Sequence, residues 1–139
     1  MPRRVALDHP RRTLLFYLVG RPVTVLVRRD VRSFIDRLAA SRDWVIGPPV
    51  LVRAPGEEGM EPVETVGGRL RIYSALPPLR LPRVIDLAHL EEVTTVMDAV
   101  QRFSQARGLA FAVDLDGEAL VEIDCGRVEV GPGEGMFEV

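Results

Sequence analysis

The sequence predicts an α+β domain: a mainly antiparallel sheet of five to seven strands with two helices packed on it. Three observations carry this expectation. Two segments have apolar residues at helical spacing, several short runs alternate like strands, and the connections between them are short enough to favour hairpins. A chain of 139 residues, 47% of them hydrophobic and 27% charged, can bury a core without metals or disulfides.

The elements follow in order. Residues 1–12 hold four Arg and two Pro and read as a loosely ordered segment. Thr13 to Val19 (TLLFYLV) is almost wholly apolar, as expected of a central strand. Gly20-Arg21-Pro22 reads as a turn. Val23, Val25 and Val27 then alternate with Thr24, Leu26 and Arg28, in the manner of a second strand. Asp30 suits the N-cap of a helix whose apolar residues Val31, Phe34, Ile35, Leu38 and Ala39 recur at three and four, and which should end near Ser41. Trp44 to Ile46 and Val50 to Val52 read as one extended piece, interrupted or placed at an edge by Pro48-Pro49. Ala54 to Pro62 is a polar loop, and Val66 to Arg69 (VGGR) reads as a turn before a strand holding Leu70 and Ile72. Leu76 to Pro82 (LPPLRLP) reads as an extended crossover.

A long helix is expected over 86–107, with Asp86 as N-cap, Gly108 as terminator and Leu90, Val93, Val96, Met97, Val100 and Phe103 as its apolar face. A three-strand meander completes the domain. A two-residue turn at Asp116-Gly117 would set Phe111 opposite Glu122. A three-residue loop, Leu115 to Gly117, instead pairs Val113 with Ala119, Phe111 with Val121 and Leu109 with Ile123, and is the register expected. At Cys125-Gly126 a two-residue turn sets Ile123 opposite Val128. The order is β-β-α-β-β-α-β-β-β in a single domain over 1–139, with loosely ordered ends at 1–12 and 131–139.

Charge is polarised along the chain. Residues 1–83 contain 15 Arg and 8 acids, whereas residues 84–139 contain 3 Arg and 12 acids. Either the two halves fold against each other and cancel, or one of them faces a charged partner. Every basic residue is Arg and the chain has neither Lys nor Asn; codon composition in a GC-rich genome accounts for this as well as chemistry does.

Motifs for chemistry are scarce. Neither GxxxxGK[ST] nor GxGxxG before a helix occurs, and the glycine-rich Gly131 to Gly135 has no helix behind it. Asp86, His89 and Glu92 are spaced to line one ridge of a helix as metal ligands. The same trio also makes an ordinary helix start, with a capping Asp and a solvated His and Glu, and that is the reading expected, with no metal and no cofactor. Cys125 is flanked by Asp124, which disfavours a thiolate, and no GxSxG surrounds any Ser. Arg3, Arg4, Arg11 and Arg12, and Arg28, Arg29 and Arg32, form clusters, but the pI is near 5.7 and most aromatics fall at core positions. Without a stacking platform no nucleic-acid partner is expected. No apolar run reaches the roughly 18 residues of a membrane span, and Met-Pro-Arg-Arg runs into Asp8 and His9 rather than a leader. A cytoplasmic location, without membrane association, is expected.

The segment Phe103 to Gly126 (FSQARGLAFAVDLDGEALVEIDCG) resembles the C-terminal part of small bacterial immunity-type proteins of polymorphic or contact-dependent toxin systems. There too a helix leads into a strand, a DG turn and a strand. The resemblance implies a stoichiometric inhibitor that binds one toxin domain.

The expectation for function is thus a non-enzymatic protein-binding module, in concrete form an immunity protein. Its partner would be another protein, such as a basic toxin domain, meeting the acidic residues Glu91, Glu92 and Asp98 of the long helix and Asp114, Asp116, Glu118 and Glu122 of the terminal hairpin. One alternative is a small enzyme or small-ligand domain with a cleft between helices and sheet. Another is a homo-oligomeric structural subunit, a homodimer joined at strand edges.

Overall fold

Strand β1 (Arg11–Val19) runs through the middle of the sheet, pairing antiparallel with β3 (Thr65–Tyr73) on one side and β4 (Ala110–Leu115) on the other. Beyond β3 lies β2 (Val50–Ala54); beyond β4 lie β5 (Glu118–Asp124) and β6 (Arg127–Val130). The six-stranded antiparallel sheet therefore has the order β2-β3-β1-β4-β5-β6. Two helices, α1 (Val25–Ala40) and α2 (Arg83–Arg107), complete an α+β fold. The structure, a computed structural model, describes residues 10–20, 22–54, 65–74 and 81–130. Ala54, expected in a loop, ends β2; the rest of the expected loop at 54–62, most of the 76–82 crossover and the 131–139 tail lie outside the described residues, as do residues 1–9. Arg11 and Arg12, expected in a loose end, are the first residues of β1, where they pair with Tyr73 and Ile72.

Both helices pack on the same sheet face. Leu14, Phe16 and Leu18 of β1 meet Val31, Phe34, Ile35 and Leu38 of α1 and Val96, Val100 and Phe103 of α2 in one core. Phe34 and Phe103 stack at 4.3 Å between the helices. No helix among the described residues is long and apolar enough to cross a membrane.

Four local expectations are corrected. The segment 23–28 is not a second strand. Thr24, not Asp30, caps α1, accepting the Val27 N–H at 3.1 Å. Val27 extends the stripe of Val31, Phe34 and Leu38 back by a turn, and Val25 and Leu26 are left 65% and 66% exposed. A cap and a buried helix face outweigh the β-propensity of the Val-rich run.

Residues 44–46 form bends rather than a strand, and β2 starts only after Pro49. Gly67 and Gly68 are not a turn but the middle of β3. A Cβ on Gly67 would lie 2.0 Å from the Phe16 carbonyl oxygen, and one on Gly68 2.3 Å from the tip of the Phe16 ring. The pair exists to let β1 approach.

The β4–β5 hairpin uses the two-residue Asp116-Gly117 turn, both residues at positive φ. A bulge between Val113 and Asp114 shifts the register, so that Asp114 faces Ala119, Val113 faces Val121 and Phe111 faces Ile123. The tight turn and the unbroken apolar face, which looked mutually exclusive, are reconciled by one extra residue. The Cys125-Gly126 turn sets Ile123 opposite Val128, as expected.

Candidate functional site

Helix α2 starts at Arg83, behind Pro82, and Asp86 lies in its first turn rather than at the cap. Its buried stripe is Ile85, His89, Glu92, Val96, Val100 and Phe103. Leu90, expected inside, is 63% exposed, and Val93 and Met97 are only partly buried. His89 and Glu92 are thus core residues, 4% and 0% exposed, and not the solvated helix start that the spacing suggested.

Their polar atoms are closed on one another. Tyr73 N–H donates to His89 Nε2 at 3.1 Å, which assigns the ring proton to Nδ1. Nδ1 donates to Glu92 Oε1 at 2.9 Å, and Val45 N–H donates to Glu92 Oε2 at 2.6 Å. Each ring nitrogen and each carboxylate oxygen is engaged, so the pair holds the end of β3 and the 44–46 bend to α2. Asp86 is exposed, and among the described residues no group of three or more His, Cys, Asp or Glu could hold a metal.

The seven acidic residues expected to form one surface are dispersed. Glu92 is buried. Glu91 and Asp98 lie on the exposed side of α2, and Glu91 approaches Arg42 at 3.8 Å. Asp116 accepts from Arg12 Nε and from Thr13 N–H, each at 2.8 Å, and these bonds hold its carboxyl below the usual range. Asp114 and Glu122 lie on the sheet face away from the helices, Asp114 two residues along β4 from Ala112 and Glu122 directly across from Ala112. The two-residue turn puts Glu118 opposite Leu115, out of line with that pair. Burial pushes the Asp114 carboxyl up despite a 3.4 Å bond from the Tyr17 hydroxyl, and Asp114 Oδ1 is buried with no hydrogen-bond partner among the described residues. Burial, then Asp114 itself, raises the Tyr17 hydroxyl in turn.

The most coherent polar surface is one the sequence reading did not single out. An open groove of about 660 Å³ runs between α1 and α2. Phe34, Leu38, Ala99 and Phe103 line its apolar part, together with Arg37, Arg42, Arg102 and Arg107; among the described residues no Asp or Glu lines it. The helices run antiparallel here. Arg107 bonds Asp30 at 2.8 Å at one end, and Arg42, stacked on Trp44, approaches Glu91 at the other. Arg37 and Arg102, in the middle, have no ion pair or hydrogen bond among the described residues. The groove draws two Arg from each half of the charge division. Only the crossing of the helices brings them together, and nothing in their sequence spacing signals it.

The chain matches no protein-family model, no curated protein and no solved structure.

Proposed function

We propose that this protein is a non-enzymatic binding module that takes an acidic, amphipathic helix of a protein partner in the groove between α1 and α2. The observation that carries the reading is that four Arg line a groove with no Asp or Glu in its lining among the described residues. Arg stays charged and binds carboxylates through a planar fork. The lining of α2 runs from Thr95 to Arg107, about 18 Å at the helical rise. That length suits three turns of a partner helix laid antiparallel to one of the walls. An immunity-type inhibitor, the form implied by the resemblance of 103–126, is one such module. On this reading the toxin would offer an acidic helix to the groove rather than a basic surface to the C-terminal third.

Calorimetric titration with a synthetic helix of Leu and Glu, its Leu at i, i+3 and i+7, tests this. Binding should weaken as salt rises. Arg37→Glu combined with Arg102→Glu should reduce affinity by at least about tenfold, or roughly 1.4 kcal/mol. Citrate or phosphate serves as the small-anion control. If these bind with the same sensitivity to Arg37 and Arg102 and the peptide does not, the alternative of a small-ligand domain replaces the protein-partner reading.

A further inference from the structure

We infer that two copies of this chain pair face to face through the sheet surface opposite the helices, about a two-fold axis parallel to the strands and between β1 and β4. Among the described residues no helix packs on that face. The register aligns its side chains in rows. One row reads Val50, Arg69, Leu15, Asp114, Ala119, and the next reads Val52, Gly67, Tyr17, Ala112, Glu122, Glu129. The middle of the face is thus apolar and half-buried, through Leu15, Tyr17 and Ala112. Its β3 side carries Arg69 and Arg71, and neither has an ion pair among the described residues. Its β5–β6 side carries Glu122, Asp124 and Glu129, with Arg127 opposite Asp124, and so remains acidic in sum.

This arrangement of charge selects the symmetry. A two-fold axis parallel to the strands lays β3 of one copy over β5 of the other, so Arg69 meets the acidic side twice, once at each end of the interface. A two-fold axis across the strands would lay β3 on β3 and oppose like charges. Sheets packed face to face keep their strands within about 30° of alignment, which the parallel axis allows. In this packing Arg69 lies opposite β5 of the second copy, one strand to the side of Asp114. Six strands about 4.8 Å apart and about 20 Å long present on the order of 600 Å² in projection. That is comparable with the roughly 800 Å² of accessible surface that a standard interface takes from each partner. The pairing leaves the α1–α2 groove facing outward in both copies, so it is independent of what the groove binds.

Sedimentation equilibrium of the whole chain should show a dimer. Arg69→Glu alone and Glu122→Arg alone should each weaken it by at least roughly tenfold, because each homodimer then opposes like charges twice. Mixing the two variants should restore a dimer, since both contacts in the mixed pair are again opposite in sign. Carbodiimide footprinting of the unmodified chain, which needs no substitution to fold, should protect Glu122 as concentration rises and leave Asp98 reactive. A wild-type chain that stays monomeric, a mixture that does not reassociate, or a dimer whose Glu122 is as reactive as in the monomer would overturn the inference.

Discussion

The imidazole of His89 and the carboxylate of Glu92 occupy consecutive positions in a stripe otherwise filled by Ile85, Val96, Val100 and Phe103. Burying them is tolerable because each polar atom has a partner, and two of those partners are backbone N–H groups that would themselves be left unpaired. Glu92→Ala should therefore lower stability by about 3 kcal/mol in urea unfolding. His89→Ala should cost nearly as much, and the double variant clearly less than the sum, because one network is lost in each case. Full additivity would mean that the two residues act separately. Asp114 has the opposite character. Its carboxyl is pushed up by burial, so the native state holds its proton more tightly than the unfolded chain does. Asp114 therefore favours folding most below the unfolded carboxylate range, and that contribution is lost as pH rises through its native pKa. Asp114→Asn should raise the melting temperature at pH 7, and the advantage should shrink as pH falls to about 4. An advantage that grew on acidification would contradict the burial argument.

At the scale of elements, composition and period made most of the fold legible. Thr13 to Val19, the 31–38 stripe, Gly108 and the Cys125-Gly126 turn were readable, because a few local residues decide each of them; the Asp116-Gly117 turn was not, because its register depends on the bulge at Val113. What was illegible depended on something distant. Gly67-Gly68 looks like a turn until Phe16 and Tyr17 are placed beside it. The face of α2 looked like Leu90–Val93–Met97 because a pattern search skips His89 and Glu92, whose partners come from residues 45 and 73. The Arg groove needed both helices at once. Gly67→Ala tests the β1–β3 contact: its Cβ would collide with backbone rather than a movable side chain, so a loss of about 3 kcal/mol is expected in thermal or urea unfolding. A loss under about 1 kcal/mol would mean that β1 and β3 can separate without cost to the sheet.

For the molecule as a whole, the sequence's basic and acidic halves do not become basic and acidic sides. Some charge is cancelled between them, through Arg12 with Asp116, Asp30 with Arg107 and Arg42 with Glu91. The helical layer carries a basic groove; the bare sheet face is basic on one side and acidic on the other. The partner expected from the sequence was basic because the acids were counted along the chain. In space the seven acids expected to form one surface are dispersed and four Arg converge, so the partner we propose carries the opposite sign.

The central place of β1 has a consequence for how the molecule is made. In order of synthesis Thr13 to Val19 precedes both of its neighbours, residues 65–73 and 110–115. The strand waits with both edges unpaired until residues 65–73 follow, and with one edge still unpaired until residues 110–115 follow. At about 5–20 residues per second that interval is on the order of 5 to 20 seconds, far longer than a helix such as α1 needs to form. During it, TLLFYLV is the kind of segment that aggregates or recruits a chaperone. The nascent chain therefore passes its most hazardous interval before the strand that buries it has left the ribosome.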